Sequence, residues 1–276
     1  MLSIRNLIMK NIILQYKKKY DAGEPISVIT CYDYTFATLF NRTEVDCLLV
    51  GDSLGMVIQG NHSTLPVTLD EIIYHTKAVC KGAPDKTIIA DLPFLSYQTS
   101  IEEGIRSAGR VLKETNASCV KLEGDSDFII ELTKRMTESG IPVFAHLGLT
   151  PQSVHTLGGH RVQGKTEAAR NKMIRKSKEI SEAGAFALLL EMVPESLGKE
   201  ITESIRIPTI GIGAGKYTSG QVLVMQDLLG LNEDFHPKFL KKFGNLSGAV
   251  KEAVNAYHKE VTKREYPSEA HVFLDT

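Results

Sequence analysis

Short apolar runs recur along the chain, and each is followed by a stretch with helical spacing. ISVIT (26–30), DCLLV (46–50), TIIAD (87–91), SCVKL (118–122), IPVFAH (141–146), AFALLLE (185–191), IPTIGI (207–212) and QVLVM (221–225) read as eight strands, the last being the weakest. Most are continuous rather than alternating. That pattern marks strands buried on both faces, hence a parallel sheet. Between them, Ile101, Ile105, Ala108 and Leu112 repeat at helical spacing over 101–114. Thr68 and Glu71 form a capping box ahead of Ile72 and Ile73. Pro194 suits the first turn of a helix carrying Leu197, Ile201 and Ile205, and Ala249, Ala253, Val254 and Tyr257 mark a final helix.

The opening stretch MLSIRNLIMKNIILQYKKKY is basic and has no acidic residue. A transit peptide shares that composition. The favoured reading is an N-terminal helix within 1–25, with Ile4, Leu7, Ile8, Asn11 and Ile12 near one face, leading into the first strand. Eight strands alternating with helices over about 250 residues predict an α/β fold, a single-domain (β/α)8 TIM barrel. The barrel takes in 26–276, including a C-terminal helix and tail. A doubly wound sheet competes, but it carries a glycine-rich phosphate turn after its first strand, and TCYDY (30–34) is no such turn.

Composition narrows the function. The chain is 42% hydrophobic and 24% charged, an ordinary globular balance, and its 276 residues suffice to bury a full core. A net charge of −1 offers no basic face for nucleic acid, and no apolar run reaches membrane-spanning length. Cys31, Cys47, Cys80 and Cys119 form no CxxC pair. They read as small buried hydrophobes in a reducing, cytoplasmic compartment rather than as disulfides or a structural zinc site.

A barrel gathers its catalytic groups at the C-terminal ends of its strands. Asp52 and Ser53 follow the second strand, Asp91 ends the third, and Lys121 and Glu123 punctuate the fourth. His146 ends the fifth, Glu191 the sixth, and GIGAG (211–215) follows the seventh. Any one of these is an ordinary strand-end residue, but six in succession is unusual. Asp52 and Asp91 come from neighbouring strands, and two carboxylates in a small space repel unless a cation sits between them. Oxygen ligands without cysteine suit Mg2+ or a similar hard ion, with Glu123 supporting it directly or through water. Unrelated turns or salt bridges are the plainer account. Lys121 is either the structural partner of Glu123 or an electrophile. Glu191, partly buried after three leucines, would have a raised pKa useful to a general base, or would form a rim ion pair. His146 reads as an oriented rim histidine rather than a ligand. GIGAG reads as a close-packed turn over a small substrate rather than a phosphate loop, because no P-loop lysine and serine pattern accompanies it.

The segments VGDSLGMVIQG, STLPVTLDEIIYHTKAV, ADLPFLSY, VKLEG, HLGLTPQS, GGHRVQGK, IPTIGIGAG and YPSEAHVF together resemble the ketopantoate hydroxymethyltransferase family. The resemblance runs from about Thr30 to near the C-terminus in consistent order. It implies a (β/α)8 barrel that transfers a one-carbon unit from 5,10-methylenetetrahydrofolate to 3-methyl-2-oxobutanoate. The product, ketopantoate (2-dehydropantoate), leads to pantothenate and coenzyme A. It also implies one Mg2+ per subunit and a homodecamer. Position by position, Asp52 and Asp91 match metal-binding aspartates that also meet the substrate, and Glu123 matches the acidic residue beside them. Ser53 and Lys121 match substrate-contacting positions, and Glu191 matches the proton acceptor. The implied chemistry is metal-assisted enolate formation at C3, with the keto and carboxylate oxygens of the substrate both reaching the metal. Three departures affect loop detail: Cys31 stands where the family has Ala, EGD replaces a second Gly after Glu123, and 113–117 is slightly longer. Two other readings compete. An isocitrate-lyase-like enzyme would share the barrel and metal logic but carry a Lys-Cys-Gly-His loop, which Cys80-Lys81-Gly82 does not reproduce. A silent barrel serving as a sensor or scaffold would not need every matched polar residue.

Overall fold

The computed structural model describes residues 12–159 and 161–273. Chain contacts divide it into two compact units, Met1–Val224 and Met225–Thr276. The predicted helical face at Ile4, Leu7, Ile8 and Asn11 lies outside the described residues, and Ile12 begins the first helix.

The first unit runs α1 (Ile12–Asp21), β1 (Ile26–Thr30), α2 (Tyr34–Asn41), β2 (Cys47–Val50), α3 (Leu54–Val57), α4 (Leu69–Gly82), β3 (Thr87–Asp91) and α5 (Ile101–Glu114). It continues with β4 (Cys119–Glu123), α6 (Asp127–Glu138), β5 (Val143–Gly148), α7 (Val154–Leu157), α8 (Glu167–Glu182), β6 (Ala187–Glu191), α9 (Glu195–Ser204), β7 (Thr209–Ile212) and β8 (Gly220–Leu223). All eight strands are parallel and close into a barrel in chain order, β8 pairing with β1.

Continuous apolar strands are explained by two buried faces. One row points into the barrel: Ile26 and Val28, Cys47 and Leu49, Ile89, Cys119, Phe144, Ala187 and Leu189, Ile210, and Val222 form one cluster. The alternate row, including Ala145, Leu147, Leu188 and Leu190, packs outward against Ile180 of α8 and Leu197 and Ile201 of α9. Burying each large apolar side chain contributes roughly 1.5–3 kcal/mol. Ile12 and Tyr16 of α1 join the inner cluster, and the Tyr16 ring meets Phe186 edge-on at 5.3 Å. Phe186 precedes β6, so α1 closes the barrel at its N-terminal mouth and leaves the other end for chemistry.

Local signals set the helix starts. Asp33, Ser100, Ser126 and Thr166 cap α2, α5, α6 and α8 through their side-chain oxygens. The predicted capping box is formed: Thr68 Oγ1 accepts from the Glu71 amide, and the Thr68 amide donates to Glu71 Oε2 at 2.7 Å. Pro194 differs from expectation. It occupies the N-cap position with extended backbone, so α9 begins one residue later. All four cysteines are free and buried, and burial pushes the Cys47 thiol up to about 12.

The second unit holds α10 (Met225–Leu228), α11 (Leu246–Thr262) and a terminal 3-10 turn, Glu269–His271. The predicted final helix is α11. Tyr266 packs edge-on against Tyr257 at 5.7 Å and lies 5.4 Å from the His271 ring.

Candidate active site

Side chains alternate along a strand, so residues two apart share a face. Cys119 lies in the inner cluster of the barrel, and Lys121 and Glu123 continue its row toward the C-terminal mouth. The same arithmetic carries Ile89 to Asp91, Phe144 to His146 and Leu189 to Glu191. Register then sets Asp91 beside Lys121 and Glu123 beside His146. Asp52 comes from the turn that follows β2, and it is buried with Asp91, Lys121, Glu123 and His146.

One oxygen from each of Asp52, Asp91 and Glu123 lies within 4.8 Å of the others. Lys121 Nζ donates to Asp91 Oδ2 at 2.6 Å and to Glu123 Oε1 at 3.1 Å. The structural pair foreseen for Lys121 therefore exists, and it is shared with Asp91. The Asp52 amide donates to Asp91 Oδ2 at 3.3 Å. Burial, then the charges of Asp91 and Glu123, push the Asp52 carboxyl well above its usual range. Asp91 also rises, through burial that the Lys121 ammonium partly offsets. Burial acts against ionised Glu123 too, yet Lys121 and His146 hold it down at about 2.

His146 is not the rim residue expected from sequence. It is buried, with Nδ1 3.1 Å from Glu123 Oε1 and Nε2 3.4 Å from Glu191 Oε2. The second distance is a near contact, since Nε2 lacks a hydrogen-bond partner among the described residues. Burial opposes a charge on the ring, but Glu123 raises its pKa to about 9. Glu191 stands at the edge of the pocket with its side chain 21% exposed. It sits there because Gly148 lets β5 press close to β6. Gly148 has φ +98°, and a Cβ there would stand 2.1 Å from the Glu191 carbonyl oxygen.

Ser53 is held by Tyr32, whose hydroxyl lies 2.9 Å from Ser53 Oγ, and the His75 ring nitrogen Nδ1 lies 2.6 Å from the Tyr32 carbonyl oxygen. Tyr97 and Gln152 reach the acidic residues as well. The Glu123 amide donates to the Tyr97 hydroxyl at 3.0 Å, and Gln152 Nε2 donates to Asp52 Oδ2 at 2.9 Å. Sequence reasoning passed over Tyr32, Tyr97 and Gln152 because they are uncharged loop residues. The available signal was their place in the loops after β1, β3 and β5. The GIGAG turn is close-packed, but against α9: a Cβ on Gly215 would stand 2.3 Å from Glu195 Cγ.

The donor set suits a divalent cation. Three buried carboxylates face the ammonium of Lys121, and Asp91 Oδ1 is buried without a hydrogen-bond partner among the described residues. An unpaired carboxylate oxygen is costly to bury and accepts a hard cation readily. The pocket thus combines a candidate cation site, an ammonium and a partly open carboxylate within one barrel mouth. Proton removal next to a carbonyl is the chemistry such a combination serves.

Residues 10–269 match the ketopantoate hydroxymethyltransferase family. The chain is 97% identical over 268 residues to a 3-methyl-2-oxobutanoate hydroxymethyltransferase of Leptospira biflexa serovar Patoc, covering 97% of this chain and 100% of that protein. It is 59% identical over 265 residues to the protein of the same name from Leptospira interrogans, covering 96% and 100%. Phosphoenolpyruvate phosphomutase from Streptomyces platensis subsp. rosaceus superposes with a TM-score of 0.61 at 11% identity, covering 95% of this chain and 92% of that one. At that identity the likeness concerns the barrel alone.

Proposed function

The chain belongs to the ketopantoate hydroxymethyltransferase family, and on that premise we propose that its acidic pocket converts 3-methyl-2-oxobutanoate to ketopantoate with 5,10-methylenetetrahydrofolate as one-carbon donor. The observation that carries the reading is Asp91 Oδ1, which has no hydrogen-bond partner among the described residues, within a group of three buried carboxylates, with Glu191 open at the rim. Asp52 and Asp91 would hold one Mg2+, with Glu123 helping directly or through water, and the ion would supply Lewis acidity at the 2-oxo oxygen. Both Glu123 oxygens already accept from Lys121, His146 or the Gln152 amide, so its part is the more indirect one.

The protein's own groups divide the remaining work. Ser53, steadied by Tyr32, hydrogen-bonds the substrate carboxylate. Glu191 takes the proton from C3, and His146 beside it fixes the carboxylate's position. Lys121 places its ammonium near the oxygen that gains negative charge as the proton leaves. The barrel floor excludes water, so these charges act at short range in a poorly screened setting. C3 then bonds to the folate-borne carbon, both carbon–nitrogen bonds to the folate break, and water supplies the hydroxyl group. Tetrahydrofolate leaves with its two nitrogens protonated by the proton taken from C3 and one from that water. We also place the enzyme in the cytoplasm and as a homodecamer, by family likeness.

The test is exchange at C3. With Mg2+ and no folate, the enzyme should swap the C3 proton of 3-methyl-2-oxobutanoate for deuterium. With methylenetetrahydrofolate added, it should form ketopantoate. Absence of both, in folded protein, would defeat the proposal.

A further inference from the structure

Gln152 lies in the 3-10 turn Pro151–Ser153 after β5, buried, with every polar atom of its carboxamide engaged. Its Oε1 accepts from the Tyr97 hydroxyl at 2.7 Å and from Gln98 Nε2 at 3.0 Å. Its Nε2 donates to Asp52 Oδ2 and to the Leu92 carbonyl, both at 2.9 Å. Its backbone amide donates to Glu123 Oε2 at 3.2 Å. The amide orientation follows from chemistry: a carbonyl oxygen only accepts, so the NH2 group must face Leu92 and, with it, Asp52. Tyr97 reinforces this, because its hydroxyl accepts from the Glu123 amide and has Gln152 Oε1 as its nearer acceptor, at 2.7 Å against 3.3 Å to the Glu123 carbonyl oxygen.

One residue therefore grips two of the three candidate cation ligands and ties together the chain segments that follow β2, β3 and β5. We propose that Gln152 is a positioning residue for the divalent cation. It fixes one oxygen of Asp52 and one of Glu123, so that the acidic groups meet the ion in a single arrangement. The inference rests on the cation reading of the pocket and adds to it a residue that carries no charge. A carboxylate without such a partner is free to rotate, and the ion must then order it at the moment of binding. Outer partners of this kind typically account for about 10–100-fold in metal affinity.

The experiment titrates the full-length protein with Mn2+ alone and follows free Mn2+ by electron paramagnetic resonance. Gln152→Met keeps the length and removes the side-chain donor to Asp52 while leaving the backbone amide on Glu123, whereas Gln152→Asn keeps the amide group but falls short of Asp52. Both should raise the Mn2+ dissociation constant about 10–100-fold. Gln98→Ala loosens the same network without touching a carboxylate and should stay within about threefold of wild type. A purely structural role predicts a lower melting temperature with unchanged Mn2+ affinity. Wild-type affinity in the two Gln152 variants would overturn the inference, as would an equal loss in Gln98→Ala. Failure of both Gln152 variants to fold would make the residue a structural pin and overturn it too. If wild type itself binds no Mn2+, the cation reading falls first, and the two failures remain distinct.

Discussion

Glu191 ends β6 with its carboxylate 3.4 Å from His146 Nε2 and its rim face open. If it removes the C3 proton, its work precedes attack on the folate. Glu191→Gln keeps the shape but cannot take the proton. Folate-independent C3 exchange and turnover should both fall ~10²–10⁴-fold, while substrate binding changes little. Lost turnover with wild-type exchange would instead place Glu191 in the later transfer step. The acidic cluster yields a second expectation. Asp52 holds its proton into a range where an ordinary aspartate is ionised, because it is buried beside Asp91 and Glu123. A cation binding there must displace that proton. Mg2+ binding should therefore release protons, and apparent affinity should rise with pH until Asp52 ionises unaided. Calorimetric heats in two buffers of different ionisation enthalpy should differ accordingly, and equal heats would show Asp52 already ionised. The charged members of this cluster were legible in the sequence, because Asp52, Asp91, Lys121, Glu123 and Glu191 each end or follow an apolar run. His146 was undervalued, since a lone histidine at a strand end does not reveal that two carboxylates flank it. Gln152 was invisible: its contact with Asp52 spans 100 positions in sequence, and nothing in TPQS signals it.

The strands were readable for a related reason. A strand buried on both faces has no polar alternation to hide it, and each predicted run overlaps an observed strand. β8 was weakest because Gly220 and Gln221 break the apolar pattern. The short helices α3 and α7 span four residues each, too few for a periodic signal. Caps were legible where the side chain itself is the signal. Thr68→Ala should remove the capping box and cost about 1 kcal/mol, read as a lower urea midpoint with an unchanged slope. Gly148 makes a sharper claim on the β5–β6 pair. Its positive φ and the nearby Glu191 carbonyl leave no room for a methyl group. Gly148→Ala should cost on the order of 3 kcal/mol or more, and displacement of Glu191 should lower activity in whatever protein remains folded. A variant as stable and active as wild type would show that β5 and β6 do not approach this closely.

For the whole molecule, α11 carries the argument. Val250, Val254, Tyr257 and Val261 recur at i, i+4, i+7 and i+11 and so share one face of the helix. Their exposures are 47%, 59%, 59% and 41%, a continuous apolar stripe rather than scattered residues. Such a stripe is costly to leave in water, and contiguous exposed apolar surface marks a contact. A second copy of the chain is the occupant we propose, in keeping with the homodecamer proposed above, because symmetric assemblies reuse one patch on every copy. A chain of 30.4 kDa should then sediment as a defined multiple, at about 300 kDa for ten copies. Val254→Lys combined with Tyr257→Lys places two charges on the stripe and should shift the protein to smaller species. The barrel and its acidic pocket belong to the other compact unit, so Mn2+ affinity per chain should survive the change. A wild-type protein that stays a monodisperse monomer at micromolar concentration and still turns over would contradict the assembly, and an unaltered mass in the double variant would show that this stripe is not its contact.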